Sequence, residues 1–314
     1  MRILVVGAGA IGGYFGGRLL QAGRDVTFLV RSRRAAQLAK TGLVIRSPLG
    51  DANLPSPPTI AAEKLHDSFD LVLLSLKAYD LAVAAESFAP GVGPNTAILP
   101  LLNGMAHMDT LAKRFGRGAV LGGQCVVSLT LDPEGRILHL NDTHFLSFGE
   151  QDGSLSARAE AIASTFSGAN FESRLSKTIL QEMWEKWSFI ATTAAITCLM
   201  RAPFGDIVSA GGVDYTTGLY DECRAIAAAN GFPPSEAATR RAHDMITAPG
   251  STIAASMLRD IERRAPIEGD HIVGDLLRRG AGTGRDYPLL RIAFAHLKAY
   301  EARREREAAA PTVG

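Results

Sequence analysis

The residues best placed for chemistry in this chain are a glycine-rich turn and three polar side chains that each follow an apolar run. The turn, Gly7-Ala8-Gly9-Ala10-Ile11-Gly12, closes the run RILVV at 2–6 and opens a helical pattern over 10–22. In that context the spacing suits a dinucleotide pyrophosphate. Gly7 permits the tight turn, a side chain at position 9 would block close approach of the phosphates, and Gly12 lets the helix lie near the strand. The phosphates then meet free N–H groups at the positive end of the helix dipole. Arg31 stands directly after the second run, VTFLV at 26–30. A NAD site usually carries Asp or Glu there, accepting from both ribose hydroxyls. This chain instead reads Leu29-Val30-Arg31-Ser32-Arg33-Arg34, without an acid. A guanidinium pairs with a 2′-phosphate in a fork geometry, so NADP(H) is the expected cofactor. The competing reading is a solvated basic turn. Lys77 follows LVLLSL and Asn103 follows AILPLL. Ligands of open parallel sheets bind beyond the carboxyl ends of strands, which makes both residues candidate contacts. The alternatives are a loop lysine and a left-handed turn residue before Gly104.

The elements that must position these groups can be read from the same pattern. Strand, glycine turn, helix and strand within about 30 residues form a βαβ unit and imply a parallel sheet. Both strands are continuously apolar, as strands buried on two faces are. Further strands are expected at 43–46, 71–76, 97–102 and 119–131, with shorter ones at 136–148 and 170–173 as an antiparallel edge. The Pro-rich segment 47–58 reads as a surface loop. After Ser176 the texture changes. Residues 176–200 hold no Gly or Pro and suit one long buried helix, and helical patterns continue at 213–230, 235–247, 251–264, 268–279 and 287–306. The expected fold class is α/β: an N-terminal Rossmann-type parallel sheet over 1–174, then a C-terminal all-α substrate and dimerisation domain over 175–308. A disordered tail is expected over 309–314. The long apolar helix is of the kind found at subunit interfaces, so a homodimer is expected.

Composition narrows the function classes. The chain has 314 residues, 46% hydrophobic and 21% charged, with a formal net charge of +1. That balance shows no field for a polyanion, so nucleic acid and membrane surfaces are not expected partners. Cys125, Cys198 and Cys223 are odd in number, far apart and free of CxxC or Cys/His spacing. No disulfide framework or metal site is expected, and a reducing, cytoplasmic location fits. The N-terminus could pass for a signal peptide, but its apolar run is broken by six glycines spaced as above.

The motifs together resemble the ketopantoate reductases (2-dehydropantoate 2-reductases) over almost the whole chain. The resemblance rests on GAGAIG at 7–12, LVR at 29–31, LSLKAYD at 74–80 and LLNGM at 101–105. It continues with Trp184-Glu185-Lys186, the run from Ser256-Met257-Leu258 through Arg263, Pro266, Ile267 and Glu268 to Gly274, and Tyr287-Pro288. It implies NADPH-dependent reduction of a 2-keto acid, as in the ketopantoate to pantoate step of pantothenate biosynthesis. By that resemblance Lys186 is the catalytic proton donor and Glu268 contacts the nicotinamide ribose and positions the lysine. Asn103 stands at the junction of cofactor and substrate, Ser256 binds the substrate carboxylate, and Lys77 and Arg31 touch the cofactor. The residue types suit the reaction: hydride attack builds negative charge on the carbonyl oxygen, which an ammonium stabilises and then protonates.

The chain departs from the family at the substrate. Three asparagines that bind the polar groups of the keto acid are replaced by Ile190, Ala194 and Phe204. The i, i+4, i+8 spacing puts Lys186, Ile190 and Ala194 on one helix face, so the wall beside the lysine is apolar. A substrate with a more apolar body than ketopantoate is therefore expected. Thr193 and Thr197 lie on a nearby face, either offering hydroxyls or packing within the helix. Two other readings stand beside the reductase: an NADP(H)-binding regulatory protein without turnover, and an imine or opine-type reductase on the same scaffold.

Overall fold

The apolar runs become strands because β-branched and leucine-rich segments bury both faces between helices. A computed structural model describes residues 1–309, so from Ala310 on the tail expected over 309–314 lies outside the described residues. The chain divides into two compact units. One comprises Met1–Leu102 and His107–Ile179, and the other Asn103–Ala106 and the residues from Leu180 onward.

The first unit holds strands β1 (Arg2–Val6), β2 (Asp25–Leu29), β3 (Leu43–Arg46), β4 (Ala52–Leu54), β5 (Thr59–Ile60), β6 (Phe69–Leu74), β7 (Val92–Pro100), β8 (Gly122–Leu131), β9 (Ile137–Gly149) and β10 (Glu172–Leu175). One sheet has the order β5-β2-β1-β6-β7, with every pairing parallel. Strand order therefore reverses between β1 and β6, the switch point where open α/β sheets bind ligands. The second sheet has the order β10-β9-β3-β4, with β8 antiparallel to β9. The Pro-rich segment is not wholly loop: Ala52–Leu54 pairs antiparallel with β3 as a short edge strand. Short strands of this kind tolerate flanking prolines because only one side donates to the ladder.

The helix Ala10–Gln21 is packed by its glycines. A Cβ at Gly16 would stand 2.7 Å from the Phe28 ring and 2.9 Å from Val5, both in the parallel sheet. A Cβ at Gly13 would meet Ile137 at 2.6 Å, and one at Gly17 would meet Leu43 at 2.6 Å, both in the second sheet. Two glycine stripes at i, i+4 spacing thus let one helix lie against both sheets. Beside the second stripe, Tyr14 and Arg18 are fully buried. The Tyr14 hydroxyl hydrogen-bonds His144 Nδ1 at 2.8 Å, and Arg18 donates to the Gly50 carbonyl at 2.5 Å.

The second unit is helical. Its longest elements are Ile179–Met200, Val213–Ala229 and Pro288–Ala309. The helix expected at 251–264 is shorter, Ser256–Glu262, and ends on Arg264 in the left-handed region at φ 54°. The segment expected as a helix over 268–279 begins with a π-helical stretch, Asp270–Gly274, before Asp275–Gly280. Tyr287-Pro288 starts the last helix as Pro at a first turn should. The Glu222 carboxylate accepts from the Leu289 and Leu290 N–H groups, capping that helix from a neighbour. No helix among the described residues is long and apolar enough to cross a membrane.

Candidate functional site

In the first unit, a cavity of about 610 Å³ is lined by residues following the carboxyl ends of β1, β2 and β6. The size suits a nucleotide. Gly7 forms its inner corner at φ 92°, and a Cβ there would stand 2.6 Å from the Ser75 carbonyl. Gly12 is equally constrained, with a Cβ 2.1 Å from the Gly7 carbonyl. Gly9 is the opposite case: it lines the cavity, and a Cβ there would meet nothing within 4 Å. Gly9 is also the N-cap of helix Ala10–Gln21, which has no side-chain cap and no acid in its first turn. Uncapped N–H groups and open space over Gly9 are what a pyrophosphate would fill. Ala8 lines the same cavity, while Ala10 and Ile11 begin the helix behind it.

Three cationic side chains line this cavity: Arg31, Arg34 and Lys77. Arg31 is the N-cap of helix Ser32–Thr41, and its side chain is three-quarters exposed. Its Nη2 pairs with Asp80 Oδ1 at 3.0 Å. Arg34, from the same basic turn, is the better anchored of the two. Its Nε donates to the Ala8 carbonyl at 2.9 Å, and its Nη1 donates to Gln37 Oε1 and to the Gly135 carbonyl at 3.1 Å. Its Nη2 is buried without a hydrogen-bond partner. Burial pushes the guanidinium pKa down from its ordinary value. Asp80 and Glu63 also line the cavity, acids that lie away from the end of β2 in sequence. The residues fit a dinucleotide: a cradle at Gly9, uncapped helix N–H groups, and guanidinium groups near the end of β2.

The residues implied for catalysis lie in the second unit. In Trp184-Glu185-Lys186 the first two side chains fix the helix turn that carries the third. Trp184 packs on Trp187 at 4.9 Å between centroids and on Phe232 at 5.4 Å. Glu185 accepts from the Ser235 N–H at 2.9 Å, just ahead of the helix Glu236–Ile246. Lys186 is half-buried beside them. Trp187 Nε1 donates to the Ile272 carbonyl at 2.9 Å, which ties the lysine's turn to the π-helical stretch. Glu268 is half-buried just before that stretch. His271, which sequence reasoning passed over, joins it to Asn103: its ring hydrogen-bonds the Asn103 backbone carbonyl and feels the Glu268 charge. Desolvation dominates and lowers the His271 pKa. Gly104, at φ 81°, fits against the His271 carbonyl, where a Cβ would stand at 3.0 Å. His271 thereby links Asn103 and Glu268, and Trp187 ties the helix that carries Lys186 to the same stretch.

The substrate positions separate. Ile190 is half-buried, one turn after Lys186, whereas Ala194 is buried at 2% exposure and Phe204 is fully buried. Thr193 donates to the Phe189 carbonyl and Thr197 to the Thr193 carbonyl, so both hydroxyls bond within their helix. Thr197 also accepts from the Ala255 N–H at 3.2 Å, which docks the start of helix Ser256–Glu262, and Ser256 itself is exposed. Cys125, Cys198 and Cys223 are buried free thiols. No group of three metal-ligating side chains occurs among the described residues.

A parallel sheet with a glycine-cradled cavity at its switch point, joined in sequence to a helical unit, defines a Rossmann-type oxidoreductase. Comparison with known proteins makes the class specific. The ketopantoate reductase PanE/ApbA family model matches residues 3–153, and the ketopantoate reductase PanE/ApbA C-terminal model matches 178–301. An uncharacterised oxidoreductase of Bacillus subtilis (strain 168), YkpB, is 38% identical over 303 residues, 96% of this chain and 99% of that one. The 2-dehydropantoate 2-reductase of Archaeoglobus fulgidus is 29% identical, covering 91% of this chain and 92% of its own. The crystal structure of 2-dehydropantoate 2-reductase from Methylococcus capsulatus superposes with a TM-score of 0.87 at 27% identity, covering all of both chains. The chain belongs to the ketopantoate reductase family.

Proposed function

We propose that this oxidoreductase reduces a 2-keto acid, or a closely related small carbonyl compound, with NADPH. The observation that carries the reading is the cradle at Gly9: open space over an uncapped helix N-terminus, in a cavity lined by Arg31, Arg34 and Lys77. Bound there, NADPH supplies the hydride. Arg31 and Arg34 hold the 2′-phosphate by charge and fork geometry, and Lys77 contacts the cofactor.

Lys186 stabilises the charge that develops on the carbonyl oxygen and transfers a proton from Nζ to it. Glu268 positions the lysine and binds the nicotinamide ribose, and Asn103 orients cofactor and substrate. The His271–Asn103 hydrogen bond supports holding these two residues in register. Ser256 receives the substrate carboxylate. The apolar Ile190, beside the lysine, favours a substrate body less polar than that of ketopantoate. Ala194, one turn further on the same helix face, is buried at 2% exposure. The enzyme is proposed to work in the cytoplasm, as a homodimer.

Lys186→Ala tests the reading. NADPH binding should persist within about twofold while kcat falls by roughly 10²–10⁴, the usual range for losing a general acid. Unchanged turnover would remove Lys186 from the mechanism. Kinetics over a 2-keto acid panel then tests the apolar wall: a clear preference for ketopantoate with ordinary turnover would show that the missing asparagines do not set specificity.

A further inference from the structure

Arg31 is not waiting for a phosphate. Its Nη2 lies 3.0 Å from Asp80 Oδ1, and both residues line the nucleotide cavity. Asp80 comes from the turn that follows β6, where its N–H donates to the Lys77 carbonyl at 2.9 Å. The backbone thus sets the carboxylate across the cavity mouth from the end of β2. A carboxylate at that mouth has two consequences. It competes with any 2′-phosphate for the Arg31 guanidinium, and it repels the dianion directly. It also offers the acceptor for ribose hydroxyls that the end of β2 lacks. Arg34 is fixed differently, through the Ala8 and Gly135 carbonyls, and meets no carboxylate in those bonds.

We infer that Asp80 is the residue that limits coenzyme discrimination: it holds the preference for NADPH over NADH well below what Arg31 and Arg34 could deliver together. The inference rests on the proposal that NADPH binds in this cavity. Arg31 exchanges one anion for another when NADPH enters, so part of its attraction is cancelled. NADH leaves the Arg31–Asp80 pair intact and gains an acceptor for its ribose.

The test uses Asp80→Asn, which keeps the shape of the side chain and removes its charge. Dissociation constants for NADPH, NADH and 2′,5′-ADP are measured by fluorescence or calorimetric titration of the intact protein, beside kcat/KM ratios with the best keto acid. The NADPH-to-NADH ratio should rise about tenfold, the scale on which one carboxylate acts on a phosphate dianion a few ångströms away through water. Binding of 2′,5′-ADP should tighten in parallel, and the effect should persist in the Arg31→Ala background, where the direct repulsion remains and only the competition for the guanidinium is gone. Should Asp80→Asn fail to fold, Asp80→Ser removes the same charge and is read in the same way. A ratio unchanged within twofold, with wild-type protein binding NADPH, overturns the role of Asp80 alone. Wild-type protein that binds neither NADPH nor 2′,5′-ADP overturns the cofactor proposal, and this inference falls with it.

Discussion

Replacing Gly9 and Gly12 in turn by alanine should separate binding from folding within a single turn of chain. At Gly12 the added methyl would stand 2.1 Å from the Gly7 carbonyl, 3.2 Å from Ser75 Cβ and 3.3 Å from Val5 Cγ1. The nearest obstacle is backbone, which cannot rotate away, so helix and strand must move apart. Overpacking of this kind costs about 1–3 kcal/mol and sometimes more. At roughly 2–4 °C per kcal/mol for a domain of this size, Gly12→Ala should lower Tm by up to about 12 °C. Gly9 is extended at φ −76°, ψ −162°, a conformation alanine adopts, and the methyl would meet nothing within 4 Å. The poorer N-cap costs roughly 0.5–1 kcal/mol, offset by a similar gain from a stiffer unfolded chain. Gly9→Ala should therefore melt within about 2 °C of wild type. Its methyl nevertheless occupies the cradle, so NADPH should bind at least tenfold more weakly, about 1.4 kcal/mol. Circular-dichroism melts without nucleotide and fluorescence titration with NADPH read the two effects. A Gly9→Ala protein that folds normally and binds NADPH like wild type would refute the placement of the pyrophosphate.

Stability should fall on acidification from pH 7 to 5. Burial holds the His144 pKa below its unfolded value of 6.5, so the unfolded chain binds the extra proton and gains as pH drops through that window. His144→Gln should flatten the slope of Tm against pH, and an unchanged slope would remove this histidine from the effect. Arg264→Gly should raise stability by about 1 kcal/mol, because a left-handed residue at φ 54° no longer carries a Cβ; a chemical denaturation midpoint that falls would contradict this. Burial pushes the Cys198 and Cys223 thiols up to about 12, so neither should react with a disulfide reagent at pH 8 until the chain is unfolded. Fast labelling of either in the native protein would show that its surroundings open.

The parts of the fold that were legible were those written in contiguous sequence. GAGAIG between an apolar run and a helix pattern located the β1 turn, and the runs at 2–6, 26–30, 71–76 and 97–102 became the parallel sheet, whereas those at 43–46, 119–131, 136–148 and 170–173 form the second sheet, in which β10 lies parallel to β9 and not as an antiparallel edge. The helices Ser32–Thr41, Leu81–Phe88, Ala106–Phe115 and Ala157–Phe166 were not read. Each has ten residues or fewer, shorter than the window over which a helical period can be told from chance. Gly13, Gly16 and Gly17 gave no reason for themselves in sequence, because Leu43 and Ile137, which require two of them to be bare, lie on strands far along the chain. Arg34 was overlooked for a similar reason: its anchor at Gly135 is 101 residues away. Asp80 was visible as a residue but not as a partner of Arg31, since the turn after β6 alone brings them together. The roles of Lys186, Glu268 and Ser256 came from resemblance. What the structure adds is how Trp184, Glu185, Trp187 and His271 hold their surroundings.

The most direct measurement is the loss of 340 nm absorbance when the purified protein is mixed with NADPH and each of a panel of 2-keto acids, ketopantoate among them. The account predicts steady NADPH oxidation with at least one keto acid of apolar side chain, abolished in Lys186→Ala. No oxidation with any member, together with no detectable nucleotide binding, would contradict it.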